Sequence, residues 1–230
     1  MPRGAVTLLG LLFAFEACAQ VSGSLSVVSD YRFRGESLSD EKPAAQLNVA
    51  YDHPSGWYAG AFGSTIQLAN QSNRHLQTLA YVGYARRAAS GLSWDIGADY
   101  SAFSGADDYN YEEVYSGIVS DNVSGRIYYA PDYFGQGSGT VYAELNGTRR
   151  FGNRLRWLGH VGVLRRNSSG TATDGSGRYR FDVQTGVGID LNKVSLQLTW
   201  VATRHTNTGY ASVDESRHRD ALVLSLSRTF

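Results

Sequence analysis

The sequence predicts an all-β protein: a transmembrane antiparallel up-and-down β-barrel of about 12 strands, preceded by a cleaved signal peptide. Three observations lead to this prediction. Apolar and polar residues alternate along most of the chain, and the connections between the alternating segments are in turn long and short. After residue 20, no apolar run approaches the roughly 18 residues that a transmembrane helix needs.

The alternation is clearest in the segments 92–101, 178–190 and 194–205. In 178–190, for example, Tyr179, Phe181 and Val183 alternate with charged or small residues, so one face is apolar and the other polar. The same rule predicts twelve strands, near 21–34, 44–53, 57–68, 75–86, 92–102, 111–119, 123–130, 140–148, 155–166, 178–190, 194–205 and 220–230. Many of them are about twice the usual globular strand length of 5–6 residues.

The connections alternate in length, because every odd-numbered one is longer than its even-numbered neighbours. The short ones, such as 53–57 and 191–193, are compact polar turns that close hairpins, whereas the long segment 167–177 is rich in Gly, Ser and Thr. Outer-membrane barrels combine short periplasmic turns with long outer loops. A soluble β-sandwich has shorter strands, and its loop lengths need not follow such a rule.

Aromatic residues lie near the predicted strand ends, where the girdles of a membrane barrel are expected. The predicted girdle beside the short turns consists of Tyr51, Trp57, Trp94 and Trp157; the girdle beside the long loops consists of Tyr31, Phe33, Tyr100, Tyr111, Tyr129 and Tyr179. The chain stops at Phe230, at the end of an amphipathic strand. This ending is similar to the signal that the bacterial outer-membrane assembly machinery recognises, so that machinery is a predicted partner, as is outer-membrane lipid.

The first 19 residues predict a secretory signal peptide, and residues 20–230 form the predicted barrel domain. Arg3 precedes the apolar stretch 5–15, and Ala17-Cys18-Ala19 has the small-x-small form of a cleavage site. The predicted location is therefore the outer membrane of a Gram-negative bacterium. Cys18 is the only cysteine, so we expect the mature domain to fold without disulfides.

The composition argues against several classes of function. With 21 basic and 21 acidic residues the net charge is zero, which gives no basic excess for binding nucleic acid. No metal-spaced cluster, hydrolase motif or cofactor motif is present, so we expect no cofactor and no enzymatic activity.

With apolar faces outward, the candidate pore-lining residues are the charged and polar ones on the opposite faces. They are Arg32, Arg34, Asp99, Glu112, Arg126, Glu144, Arg156, His160, Arg166, Arg178, Arg180 and Asp182. Charge on the lipid side would cost about 2–4 kcal/mol for an arginine at the midplane. Several of the arginines lie near the predicted outer mouth, where they would attract anionic solutes.

Three stretches resemble the TorF porin family of Gram-negative bacteria. They are 29–37 (SDYRFRGES) with 43–46 (PAAQ), 56–60 (GWYAG) and 108–115 (DYNYEEVY). The resemblance runs through most of the mature chain and is strongest before residue 120. It implies an outer-membrane β-barrel, and it supplies neither a transported substrate nor an active site.

Together these features predict a porin-like channel for passive diffusion of small solutes, with a preference for anions. Two alternatives stay open. One is a barrel enzyme acting on lipid or peptide, in which His160 could act with Arg156 and Glu144. The other is a surface-exposed structural or interaction barrel, whose lumen is closed by paired charges and whose long loops, such as 206–219, engage a partner.

Overall fold

The computed structural model describes residues 20–68, 73–167, 179–205 and 220–230, and these form a closed barrel of twelve antiparallel strands. The predicted antiparallel β-barrel of about 12 strands is therefore confirmed. In chain order the strands are β1 (Gln20–Val28), β2 (Ala44–Asp52), β3 (Trp57–Ile66), β4 (His75–Arg87), β5 (Ser93–Phe103), β6 (Tyr111–Val119), β7 (Val123–Ala130), β8 (Thr140–Phe151), β9 (Leu155–Arg166), β10 (Tyr179–Leu191), β11 (Val194–His205) and β12 (Asp220–Thr229). The predicted signal peptide 1–19, Arg178 and the connection 206–219 lie outside the described residues.

The alternation of the sequence decides which side chains face outward. In β12, Leu222, Leu224 and Leu226 are 67%, 49% and 51% exposed, while the residues between them face the interior. Each strand pairs with its neighbour in the sequence, and β12 closes the barrel against β1. Closure leaves no sheet edge, which is the condition for a sheet to be stable in lipid.

The first predicted strand, 21–34, is shorter than the alternation indicates. It ends at Val28, and residues 29–43, which we call the inner loop, turn into the barrel. The inner loop contains a small antiparallel pair, Arg32–Phe33 with Glu36–Ser37. Its turn residues Arg34 and Gly35 have φ of 49° and 83°, as a two-residue type I′ hairpin requires.

Long and short connections lie at opposite ends of the barrel, as predicted. The short-turn end carries the connections 53–56, 88–92, 120–122, 152–154 and 192–193, and the long-loop end carries the others. Two single-turn 3₁₀ helices, Asp107–Tyr109 and Tyr133–Gly135, lie in connections at the long-loop end. Among the residues described, no helix is long and apolar enough to cross a membrane.

One predicted girdle is confirmed and the other is partly wrong. The four aromatic residues of the short-turn end are all exposed on the outer face: Tyr51, Trp57, Trp94 and Trp157. At the long-loop end, Tyr100, Tyr129 and Tyr179 are also exposed, but Tyr111 is buried inside the barrel, and Tyr31 and Phe33 pack there with it. Tyr31 and Phe33 belong to the inner loop, which turns into the barrel, so they are not part of the girdle.

Candidate functional site in the barrel lumen

An aromatic core fills the barrel interior near the long-loop end. Its buried members are Leu38, Ile66, Phe103, Tyr111, Ala130, Tyr133, Tyr142 and Leu164. The connection 131–139 contributes Phe134, whose ring centroid lies 5.2 Å from that of Phe103 and 5.0 Å from that of Tyr111. In the part of the chain that the structure describes, this end of the lumen is thus occupied by packed side chains.

Arg34 joins the inner loop to the barrel wall. Its Nη1 and Nη2 donate to Glu113 Oε1 and Oε2 at 2.9 and 2.6 Å, and both side chains are buried. The guanidinium carbon also lies 4.2 Å from the ring centroid of Tyr142 and 5.1 Å from that of Tyr133. Burial disfavours the charge of Arg34, yet Tyr133 and Glu113 hold its pKa well above the ordinary value. The pair is therefore a bidentate, charged contact between two buried side chains.

The other side of the hairpin rests on β10 and β11. Thr203 Oγ1 donates to the carbonyl oxygen of Gly35 at 2.9 Å, and Arg180 Nη1 lies 3.6 Å from Glu36 Oε1. A Cβ on Gly35 would overlap Thr203 Oγ1 and come within 2.8 Å of Asp182 Cβ. The hairpin tip thus spans the lumen from the wall of β10 and β11 to Glu113 on β6.

At the base of the inner loop, Asp30 holds the chain in its turn by accepting hydrogen bonds from two other residues of the loop. Its carboxylate accepts hydrogen bonds from Ser37 Oγ at 2.6 Å and from Arg32 Nε at 2.6 Å. Leu38 is tied to the end of β3, because the amide of Gln67 donates to its carbonyl oxygen at 2.8 Å. These contacts hold Arg32 and Arg34 inside the barrel. Both residues belong to the inner loop, whereas the sequence predicted that they lie on the first strand.

Below the aromatic core the lumen contains a cavity of about 580 Å³. Its lining is rich in tyrosine and in charged side chains: Tyr58, Tyr81, Tyr115, Tyr128 and Tyr142; Asp52, Asp95, Asp99, Glu113 and Glu144; and Arg32, Arg34 and Arg126. A second cavity of about 410 Å³, lined by the turn 119–124 and by neighbouring strands, shares His160 and Gln184 with the first. Together the two cavities occupy the half of the lumen toward the short-turn end.

Inward-facing glycines make room for three of these tyrosines. A Cβ on Gly60 would overlap the Tyr81 phenol, one on Gly83 the Tyr58 phenol, and one on Gly97 the Tyr115 phenol. Each ring therefore lies flat against the wall over a glycine of the adjacent strand. The rings border the cavity instead of filling it.

Arg126 on β7 and Asp95 on β5 form another ion pair, which crosses the intervening strand β6. Arg126 Nη2 donates to Asp95 Oδ2 at 2.6 Å, and its guanidinium lies 4.8 Å from the centroid of Tyr115. Tyr58 donates its hydroxyl to the same Asp95 oxygen at 2.9 Å. This arginine is thus held by a carboxylate and aromatic rings, as Arg34 is.

His160 lies in a polar network in which both ring nitrogens are occupied. Nδ1 lies 2.6 Å from Asn146 Oδ1, and Nε2 lies 2.7 Å from Asp182 Oδ1. Because Asn146 uses its amide nitrogen to donate to Glu144 at 3.3 Å, its oxygen faces the histidine. Both ring nitrogens thus lie beside oxygen atoms of neighbouring side chains. Tyr142, whose hydroxyl is 3.1 Å from Nε2, completes the network.

Two further predicted arginines are held at the ends of β9. Arg156 pairs with Asp190 and donates to Ser195 Oγ at 2.9 Å near the short-turn end. Arg166 donates to Ser138 Oγ at 2.6 Å, which fixes it against the connection 131–139 at the long-loop end.

Glu112 is a wrong prediction, because it faces outward with Val114 and Ile118. The buried Tyr111, Glu113 and Tyr115 set the opposite, inward face of β6. The other predicted residues within the described chain lie inside the barrel: Arg32, Arg34, Asp99, Arg126, Glu144, Arg156, His160, Arg166, Arg180 and Asp182. Arg178 lies outside the described residues.

Sequence reasoning missed Glu113 and the tyrosines over glycines. The signal for the latter was available, since Gly60, Gly83 and Gly97 interrupt the inward faces of β3, β4 and β5 at positions where a side chain is expected. Among the described residues no group of three or more His, Cys, Asp or Glu side chains could hold a metal ion.

Comparison with known proteins places the chain by family and by fold. The KdgM porin has a TM-score of 0.56 at 12% identity, covering 91% of this chain and 99% of the porin. KdgM in complex with disordered oligogalacturonate has a TM-score of 0.54 at 12% identity, covering 91% and 98%. At these identities the likeness concerns the fold. No curated protein matches the sequence. The profile of Gcw_chp matches residues 15–230, and the chain therefore belongs to this family of bacterial proteins of unknown function.

Proposed function

We propose that the protein is an outer-membrane channel for the passive diffusion of small solutes. The observation that supports the proposal best is the cavity of about 580 Å³, lined by charged and polar side chains, inside a closed barrel with an apolar outer face. A polar lumen inside an apolar exterior is the arrangement that outer-membrane channels use. The TorF name and the signal peptide stay predictions, and export and outer-membrane insertion are part of the proposal.

The inner loop forms the constriction of this channel. The hairpin crosses the lumen between Glu113 and Thr203, and the aromatic core surrounds it. Solutes must pass beside the hairpin or displace it, so the open channel is narrow and its conductance is small.

Planar-bilayer recordings of the purified protein test the proposal. We expect discrete conductance steps, and we expect larger ones when Arg34 and Glu113 are replaced together by glutamine, because the hairpin then loses its ion pair. If neither protein gives conductance steps, the channel proposal is wrong.

The anion preference predicted from the sequence has little support in the described residues. Arg34 pairs with Glu113, Arg180 lies beside Glu36, and Arg166 is bound by the connection 131–139. The cavity lining carries five carboxylates and three arginines. The prediction therefore depends on Arg178, outside the described residues.

A barrel with a closed lumen that engages a partner through its long loops is the second candidate. The aromatic core at the long-loop end favours it, since packed side chains occupy that mouth within the described chain. Absence of conductance from both the wild-type protein and the Arg34–Glu113 double variant, with the barrel intact, is the result that this candidate predicts.

An enzyme acting on lipid or peptide finds less support. A general base needs a nucleophile within hydrogen-bond reach. The ring nitrogens of His160 face Asn146, Asp182 and Tyr142. The hydroxyl of Tyr142 donates its proton to Asp182 at 3.2 Å, and not to the histidine. Hydrolysis of phospholipid that is abolished in His160→Ala would revive this alternative.

A further inference from the structure

The arginines of the lumen cavity are each matched by a carboxylate. Arg34 pairs with Glu113 at 2.6 Å, Arg126 with Asp95 at 2.6 Å and Arg32 with Asp30 at 2.6 Å. Three other carboxylates line the same cavity and form no salt bridge within the described ranges: Asp52, Asp99 and Glu144. The cavity therefore has an excess of negative charge toward which a cation is drawn.

Asp99 is the most deeply placed of these carboxylates. Its side chain faces the cavity from β5, the residue is only 8% exposed, and Oδ1 is buried without a hydrogen-bond partner among the residues that the structure describes. Its inward neighbours in register are Tyr81 on β4 and Glu113 on β6. Arg34 already uses both oxygens of Glu113. A buried carboxylate that lacks a partner is unfavourable and is stabilised by a bound cation.

The surroundings of Asp99 fit an organic ammonium group better than a metal ion. The described residues offer no cluster of three metal-ligating side chains, whereas Tyr58 and Tyr81 line the cavity beside Asp99 with their rings held against the wall. Tyrosine faces attract organic cations, and an ammonium group has three protons for oxygen acceptors such as a carboxylate or a phenol. A cavity of about 580 Å³ has the size of a small-molecule site.

We propose that Asp99 binds the ammonium group of a small organic amine in the lumen cavity and that the lumen consequently selects cations over anions. Binding needs only the cavity. Cation selectivity rests in addition on the proposed channel function.

Calorimetric titration of the folded barrel in nonionic detergent with butylammonium chloride tests the binding site. We expect saturable binding that Asp99→Asn weakens by about tenfold or more, because a charged hydrogen bond is lost. Asp99→Glu, which keeps the charge, retains binding within a few-fold. Glu112→Gln, which removes a carboxylate from the outer face of β6, leaves it unchanged.

Butanol and sodium butyrate, titrated into the wild-type protein, give a control that needs no variant. Neither binds if the site requires a positive charge. Equal binding of butanol and butylammonium, or an affinity that is the same in Asp99→Asn and wild type, overturns the proposal.

Reversal potentials in a KCl gradient test selectivity separately. We expect a potential of the sign given by a cation-preferring channel, reduced toward zero in Asp99→Asn. A zero or anion-selective potential in the wild-type protein overturns this half. Butylammonium binding without any conductance would contradict the channel proposal and leave the amine site supported. Conductance without butylammonium binding would support the channel and contradict the amine site.

Discussion

Among single residues, Arg34 makes the contact on which the inner loop depends most. Replacing it with glutamine leaves the buried Glu113 without its bidentate partner. Breaking a buried pair from one side costs about 3–5 kcal/mol. We therefore expect Arg34→Gln to lower the free energy of unfolding by roughly this amount, measured by denaturant titration of the protein in lipid vesicles.

The double variant Arg34→Gln/Glu113→Gln separates the charge from the contact. It removes the uncompensated carboxylate, so we expect it to recover most of the stability that the single variant loses. Glu112→Gln is the matched control, because it removes the neighbouring charge from the outer face. A double variant less stable than Arg34→Gln alone would contradict this account.

A glycine beneath a tyrosine can be tested within one strand. Gly60→Ala places a Cβ against the Tyr81 phenol and 2.6 Å from the Val49 carbonyl oxygen, so we expect a loss of about 1–3 kcal/mol in unfolding free energy. Gly63→Ala, also on β3, meets nothing nearer than 3.9 Å and is expected to stay within about 0.5 kcal/mol of wild type. Equal losses in the two variants would show that β3 is sensitive to any side chain, and not to the displaced ring.

The direction of most lumen side chains was predictable residue by residue, because a strand has only two faces. The exception, Glu112, shows the limit of the rule. Of two adjacent glutamates in a strand, either one can face inward, and the neighbouring residues decide which one does. In β6 the tyrosines at 111 and 115 face inward with Glu113, while Val114 and Ile118 face outward with Glu112. Tyrosine suits a girdle and a polar lumen equally well, so the pattern alone could not decide.

Among the elements, the inner loop was the one that the sequence did not predict. Tyr31 and Phe33 continue the alternation of β1, with Asp30, Arg32 and Arg34 between them, so periodicity extends the strand to residue 34. The chain turns inward because Arg34, Gly35, Asp40 and Glu41 take positive φ. Once inside, the hairpin is bound across the lumen by Glu113 and Thr203. Those partners are distant in sequence, so no local pattern could reveal them.

The docking of this hairpin is testable at Gly35. Alanine there combines a positive φ of 83° with overlap on Thr203 and a Cβ 2.8 Å from Asp182 Cβ. Gly137→Ala is the control, because its φ of 67° is similar and nothing lies within 4 Å of its Cβ. We expect Gly137→Ala to cost only the backbone strain of about 1–2 kcal/mol. Gly35→Ala should cost more and should also raise the single-channel conductance. Similar effects on both measurements would show that hairpin docking does not control the lumen.

At the scale of the whole molecule, the barrel was predictable because lipid imposes the pattern from outside. A spanning strand must present apolar residues to lipid at every second position and must find a partner on both sides. These constraints act along the full length of each strand. They explain why the interior candidates on the strands lie where the alternation put them: Asp99, Arg126, Glu144, Arg156, His160, Arg166, Arg180 and Asp182. The contents of the lumen obey no such external rule: the aromatic core and the Arg34–Glu113 pair depend on contacts between distant segments.

The backbone pairing that closes the barrel between β12 and β1 extends to Phe230. Its amide donates to the Gly23 carbonyl oxygen at 3.0 Å, the Gly23 amide donates back to Phe230 at 3.2 Å, and its ring covers Gly23 while staying 66% exposed. In Phe230→Ala the backbone bonds remain, so we expect the refolded protein to lose no more than about 1 kcal/mol of unfolding free energy. Phe151→Ala is the matched control, since it removes a 52% exposed phenylalanine from the end of β8. Denaturant titration in lipid vesicles compares the two variants. A loss of unfolding free energy several-fold larger in Phe230→Ala than in Phe151→Ala would show that the ring over Gly23, and not only the backbone hydrogen bonds, holds β12 against β1.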